Sequence, residues 1–169
     1  MTKAIKGEII YLSLGSNLGD RMQNLRQARK LIEEQAGELL EGSKIYQSEA
    51  WGYSSSNEFY NGCLSVLSHL EPFALLETLM EIETSMGRIR KGGEYSDRLI
   101  DIDLLFYGDT ILEQARLTLP HPAIANRRFV LLPLTDIAAE LVHPVSGLTI
   151  QEMLQKCPGK DSVTPVATW

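Results

Sequence analysis

From residue 98 to residue 107 the chain alternates without a break: Ile100, Ile102, Leu104 and Phe106 fall on one side, Asp101 and Asp103 on the other. A period of two over that length marks a strand with one buried face, and a one-residue slip would turn every apolar side chain to water. Such a strand needs a sheet beside it and helices over its apolar side. The flanking sequence supplies both. Residues 9–14 are an apolar run ending at Gly15, and residues 43–48 and 59–68 read as two further strands. Helical spacing places Leu25, Ala28, Leu31, Ile32 and Ala36 on one side of a helix over 21–36, with Asn17 or Asp20 as its cap and Gly37 as its stop. Pro72 opens a second helix in which Leu75, Leu76, Leu79, Ile82 and Met86 recur, ended by Gly87.

Short extended segments near 110–112 and 117–119 follow, then helices over 129–139 and 150–156. Thr149 with Glu152 three residues on is a capping box for the last helix. The order βαββαβ, with extra elements after it, predicts an α+β fold. Its core is ferredoxin-like, a mainly antiparallel sheet with helices packed on one face. No repeat and no linker divides the 169 residues, so the expectation is one domain over 1–169 with residues 1–8 and 158–169 as loosely held ends.

Sixteen Lys and Arg against 22 Asp and Glu give a formal charge of −6, which weighs against nucleic acid as a partner. The hydrophobic share of 44% and charged share of 22% are those of a globular chain. No apolar run approaches the roughly 18 residues of a membrane span. The stretch 9–14 is too short for a secretory signal, so the expected setting is the cytoplasm, with Cys63 and Cys157 reduced. A P-loop, a dinucleotide fingerprint, a nucleophile elbow and zinc spacing are all absent.

Asp101-Ile102-Asp103 is the most informative short pattern. Two residues apart in a strand, its carboxylates share a face at about 6.6–7 Å, where they repel by roughly 2 kcal/mol at an effective dielectric of 20. A divalent cation turns that repulsion into attraction, and Mg²⁺ favours one or two carboxylates plus substrate phosphates. A bare D-x-D also suits a solvated strand face. The flanks add weight to the metal reading: Arg88, Arg90, Lys91 and Arg98 crowd the stretch before the strand, and Arg116, His121, Arg127 and Arg128 follow it. Cations gathered around paired acids in an acidic chain are the ingredients for holding a polyphosphate with its metal. Phe59, Asn61 and Phe129 add what a flat heterocycle needs, two rings to stack between and an amide to read its edge.

In order along the chain, Gly15-Ser16-Asn17, Phe59-Tyr60-Asn61, Gly87-Arg88-Ile89-Arg90, Arg98-x-x-Asp101-x-Asp103, Pro120-His121-Pro122 and Asn126-Arg127-x-Phe129 closely resemble the hydroxymethyl-dihydropterin pyrophosphokinases of folate biosynthesis. The resemblance covers residues 9–154. It implies a diphosphotransferase that moves diphosphate from ATP to the hydroxymethyl group of 6-hydroxymethyl-7,8-dihydropterin and releases AMP. By the same resemblance, Asp101 and Asp103 hold two Mg²⁺ ions, and Arg88 and Arg98 are catalytic with them. Ser48, Ala50, Phe59, Asn61, Tyr95 and Phe129 contact the pterin; Glu83, Arg90, Ile102, Arg116, Thr118, His121 and Arg127 serve ATP. The basic stretch 87–97 and the Ser-rich stretch 51–57 are placed to close over the site and exclude water. A monomer acting on small molecules, with no membrane partner, is the expected form.

Three positions depart from the family pattern. Glu94-Tyr95 stands where an Arg followed later by Trp is frequent, Ser48-Glu49-Ala50-Trp51 replaces Thr-Pro-Pro-Leu, and Phe59 replaces Tyr. Two rival readings remain open from the residues: another D-x-D metal-dependent nucleotidyl- or glycosyltransferase, and a non-catalytic ferredoxin-like ligand-binding module.

Overall fold

A computed structural model describes residues 6–88, 95–159 and 161–169. The acid-bearing strand is β5 (Asp101–Tyr107), and it lies at the edge of a sheet ordered β5-β1-β4-β3-β8. Its neighbour β1 (Glu8–Ser16) leads into α1 (Arg21–Gln35), which Asp20 caps by accepting from Gln23 N–H at 3.1 Å. The chain then forms β2 (Glu38–Gly42) and β3 (Ile45–Ser48), which both pair antiparallel with the long β4 (Phe59–Ser68). α2 (Pro72–Ser85) returns the chain to β5, which pairs antiparallel with β1. This is the predicted ferredoxin-like core. Beyond it come the small hairpin β6 (Leu112–Glu113) and β7 (Thr118–Leu119), then α3 (Arg128–Ala138), α4 (Ile150–Lys156) and β8 (Val163–Ala167). The capping box of α4 is present: Glu152 N–H donates to Thr149 Oγ1, and the Glu152 carboxylate accepts from Thr149 N–H.

The structure corrects three expectations. Helices cover both faces of the sheet, not one. Leu25, Ala28, Ile32, Leu75, Leu79 and Ile82 of α1 and α2 pack with Leu12, Leu14, Leu64 and Ile102. Across the sheet, Val130, Leu131 and Leu134 of α3 with Ile150 and Met153 of α4 cover Cys63, Leu105 and Phe106. The β4 run Phe59–Ser68 is almost continuously buried, as a strand covered on both sides must be.

Phe106 belongs to the second core and not to the face of Ile102 and Leu104. Tyr11 pairs with Phe106 while Leu12 pairs with Leu104, so Leu105 is an extra residue and the alternation changes phase there. The C-terminal end is held as well. β8 pairs with β3, and Trp169 packs against the first core where Gly42 and Gly62 leave room; a Cβ at either glycine would meet its ring at 2.7 Å.

Candidate active site

The two acids share a face, and small residues keep the space above them open. Asp101 lies opposite Gly15 and Asp103 opposite Ser13 on β1, and Gly15 in turn lies opposite Asn61 on β4. At about 4.8 Å per strand, the acid row and the amide of Asn61 are roughly 10 Å apart across the sheet. α3 covers the same face further along, so the acids line the floor of a cavity at its margin. Asp101, Asp103, Ser13, Gly15, Phe59 and Asn61 form that floor; Ser48, Tyr95, Arg98, Arg127 and Phe129 stand in the wall. Nine of these are residues singled out from the sequence.

Each acid is met by a guanidinium. Arg88 Nη1 donates to Asp101 Oδ1 at 2.9 Å and to Glu83 Oε1 at 3.0 Å, and Arg127 Nη1 donates to Asp103 Oδ2 at 3.3 Å. Both carboxylates remain 27% exposed toward the cavity, so they are accessible to a ligand. Burial and the neighbouring Asp101 charge push the Asp103 carboxyl up to about 7, against the opposing pull of Arg127. Among the described residues the buried Nε atoms of Arg98 and Arg127 have no hydrogen-bond partner, and an anionic ligand group is the kind of acceptor that satisfies a guanidinium. Among the described residues no cluster of three or more His, Cys, Asp and Glu is arranged to hold a metal ion. The donor set is a pair of carboxylates, which fits Mg²⁺ completed by ligand oxygens and not an all-protein metal cage.

A second cavity opens at the sheet edge, on the other side of β5. Ile102, Arg116, Thr118 and His121 line it, with Leu79 and Leu117 among its apolar walls, and Asp103 lines it too. β5 is the edge strand, and Asp103 lines both cavities. His121 is held neutral: burial and the Arg127 charge lower its pKa to about 4. Its Nδ1 accepts from Ala123 N–H at 3.2 Å, which assigns the proton to Nε2 and makes that atom a donor. Arg116 is half exposed and pairs with Glu77 at 2.9 Å.

Several assigned residues lie elsewhere. Glu83 is buried and lines neither cavity; its Oε1 accepts from Ile102 N–H at 2.7 Å and from Arg88, so it joins α2, β5 and the arginine. Arg88 lines a separate cleft with Tyr95 and Arg98 and reaches the first cavity through Asp101. Ala50 does not line the first cavity, whereas Glu49 and Trp51 on either side do. The chain leaves β3 after Ser48, and beyond that point strand alternation no longer decides which side chain faces inward. Arg90, with the rest of 89–94, falls outside the described residues.

Trp51 is the residue that sequence reasoning missed. Its ring lies 5.9 Å from Tyr95 and 6.4 Å from Phe129, and the Arg127 guanidinium sits 4.7 Å over it. The Arg98 guanidinium sits 5.2 Å over Phe59. The Phe59 ring is therefore met by the Arg98 guanidinium, and the Phe129 ring by the tilted Trp51 ring and by the Arg127 guanidinium at 5.9 Å. An aromatic beside a glycine in a polar loop was the available signal.

Residues 11–139 match the family model described as 7,8-dihydro-6-hydroxymethylpterin-pyrophosphokinase. The chain belongs to that family. Its relatives include the 2-amino-4-hydroxy-6-hydroxymethyldihydropteridine pyrophosphokinase of Porphyromonas gingivalis, 42% identical over 80% of this chain and 94% of the relative. The Synechocystis enzyme of the same name is also 42% identical, over 86% of this chain and 74% of the relative. The folic acid synthesis protein fol1 of Pneumocystis carinii is 38% identical over 96% of this chain, which spans only 22% of that longer protein. The HPPK-DHPS of Plasmodium falciparum shares the fold, with a TM-score of 0.74 at 19% identity, over 92% of this chain and 45% of that one. Membership makes this pyrophosphokinase an enzyme of folate biosynthesis. Among the described residues no helix is long and apolar enough to cross a membrane.

Proposed function

We propose that this pyrophosphokinase transfers diphosphate from ATP to the hydroxymethyl oxygen of 6-hydroxymethyl-7,8-dihydropterin and releases AMP, acting as a single-domain cytoplasmic monomer. The observation that carries the reading is that Asp103 lines both cavities, beside Asp101 and between a ring-lined space and a separate edge cavity. Adenosine occupies the edge cavity, where His121 Nε2–H, Thr118 and Arg116 offer donors around Ile102. The triphosphate turns around the edge of β5 toward the acid pair. The pterin enters from the other side, its ring between Phe59 and Phe129, with Asn61, Ser48, Tyr95 and the backbone at Ala50 around its edge.

The amide of Asn61 is already oriented, its Nδ2 donating to Ser48 Oγ at 2.7 Å. Arg98, which stands over the Phe59 ring, would move aside as the heterocycle enters and then come to bear on phosphate. Two Mg²⁺ ions bound by Asp101 and Asp103 would offset much of the triphosphate's charge. Arg88 and Arg127, which face Asp101 and Asp103, would serve the phosphates, with Arg90 assigned to the same side. The hydroxymethyl oxygen attacks the β-phosphorus in line, the bond from that phosphorus to the oxygen bridging the α-phosphate breaks, and AMP leaves with that oxygen. Positioning and charge neutralisation supply the rate, because the protein forms no covalent bond in the transfer.

Incubation with ATP, Mg²⁺ and the pterin alcohol, followed by chromatography, tests the proposal. AMP and pterin diphosphate in equal amounts are expected. ADP in place of AMP, or diphosphate released with a nucleotidylated acceptor, overturns it and favours another D-x-D transferase.

A further inference from the structure

Asp97 stands just before β5 and takes no part in the reaction scheme above, yet it accepts four side-chain hydrogen bonds. Its Oδ1 accepts from Ser55 Oγ at 2.7 Å, Asn17 Nδ2 at 2.8 Å and Tyr53 Oη at 3.0 Å, and its Oδ2 accepts from Asn57 Nδ2 at 2.8 Å. Three of the four donors come from the Ser-rich loop, and the fourth from the turn between β1 and α1. Asn17 is buried and ties the same point to the backbone of the next residue. Its Oδ1 accepts from Arg98 N–H at 2.8 Å, and its own N–H donates to the Arg98 carbonyl at 3.1 Å. Neutral donors alone hold the charge in these contacts, and the Ser55 hydroxyl leads in drawing the carboxyl below the usual carboxylate range.

The residues on either side of this knot are those that wall the first cavity. The Ser-rich loop carries Trp51 at its start, and the stretch before β5 carries Tyr95 and Arg98. We propose that Asp97 is a positioning residue that clasps the Ser-rich loop, the 95–98 stretch and the β1–α1 turn together. By doing so it sets Trp51, Tyr95 and Arg98 at the mouth of the pterin cavity. It touches no substrate and acts through Asn17 and the loop. The geometry rests on hydrogen bonds to an ionised group, the strong kind, whose loss leaves several donors without acceptors at once. The functional consequence rests on the proposed reading of the cavity as the pterin side.

The test compares the parent with Asp97→Asn, Asn57→Asp and the double variant. Asp97→Asn can turn an amide toward the Asn57 amide, donor against donor. Asn57→Asp sets two carboxylates face to face, and the double variant restores one hydrogen bond with its polarity reversed. In the ligand-free protein, hydrogen exchange of amides in 51–57 and 95–98 should speed up in each single variant and slow again in the double. Pterin-alcohol affinity, measured by calorimetry in the presence of a non-hydrolysable ATP analogue, should fall about tenfold or more in the single variants and partly recover in the double. The analogue's own affinity should fall less than the pterin's, because of the three residues set by Asp97 only Arg98 bears on phosphate.

Unchanged exchange in both loops overturns the clasp. Equal losses of pterin and nucleotide affinity, or a double variant no better than the singles, overturn the positioning role. A parent that fails to bind the pterin alcohol overturns the proposed function instead, and the clasp then stands or falls on the exchange result alone.

Discussion

The Arg88 guanidinium lies 2.9 Å from the Asp101 carboxylate on one side and 3.0 Å from buried Glu83 on the other. One nitrogen, Nη1, makes both contacts, so the arginine is the counter-charge for a structural acid and a functional one. Burial opposes its charge, and the Asp101 and Glu83 carboxylates more than offset that, raising the Arg88 pKa above its ordinary value. Removing one member of a largely buried ion pair costs more than the pair itself contributes.

Arg88→Ala should therefore destabilise the fold by about 3 kcal/mol in urea denaturation, well beyond an ordinary surface change. Adding Glu83→Gln should recover part of that loss. Glutamine keeps an oxygen for Ile102 N–H but carries no charge that needs Arg88. If the double variant is no more stable than Arg88→Ala, the buried acid is not the source of the cost.

Asp103 gives a pH dependence of definite sign. Its carboxyl sits at about 7 in the fold against 3.8 ordinarily, so between those values the native state binds a proton that the unfolded chain has released. Metal-free parent protein should gain stability relative to Asp103→Asn as the pH falls from about 7 to about 4. Asp103→Asn should also cut turnover by about 10²- to 10³-fold, the scale for a lost charge-stabilising group. Denaturation curves of both proteins across the pH range decide it; a difference that is flat or rises with pH refutes the assignment.

His121 works in the opposite sense. Its pKa is depressed to about 4 against 6.5, so below pH 6.5 the unfolded chain takes up a proton that the fold refuses. Relative to His121→Asn, the parent should lose stability as the pH falls from about 6.5 toward 4. The His121 ring signals in a proton NMR titration should hold steady from pH 8 to about 5 and move only below that.

A methyl group placed at Gly15 would lie 3.1 Å from Asn61 Oδ1 and 3.3 Å from the Phe59 ring. Both neighbours belong to the cavity's ring-binding side and are fixed by packing. Gly15→Ala should weaken pterin binding about tenfold and leave nucleotide-analogue binding nearly unchanged. Calorimetric titration with each ligand separates the two effects.

Trp169 fills the space over Gly42 and Gly62 and carries Arg29 against its ring at 5.8 Å. Trp169→Ala should cost about 2–3 kcal/mol of unfolding free energy through lost packing, with substrate affinities intact. An unchanged midpoint in urea would show that the Trp169 ring contributes no stability.

Local rules carried far in this chain. Alternation and helical spacing follow from the geometry of a single segment, so the strand at 59–68, the helices at 21–36 and 72–86, and the Thr149 cap were all legible before any contact was known. The facing of Asp101 and Asp103 was legible for the same reason. β2 was missed because Glu38–Gly42 carries four exposed residues of five and lacks an apolar face of its own; its pairing with β4 is what makes it a strand. The β8 pairing and the Phe106 reversal were hidden likewise, since both depend on the register of a distant partner.

The amino-acid order alone determined the βαββαβ core and the twin acids on one strand face, because each is written in near-neighbour periodicity. Only the tertiary structure decided which charge stands beside which. The Arg88–Asp101 and Arg127–Asp103 pairs, the buried Glu83 strut and the Asp97 knot join residues from 5 to 80 positions apart. No local propensity encodes such distances; chain closure around the sheet brings the groups together, and burial then makes their electrostatics strong.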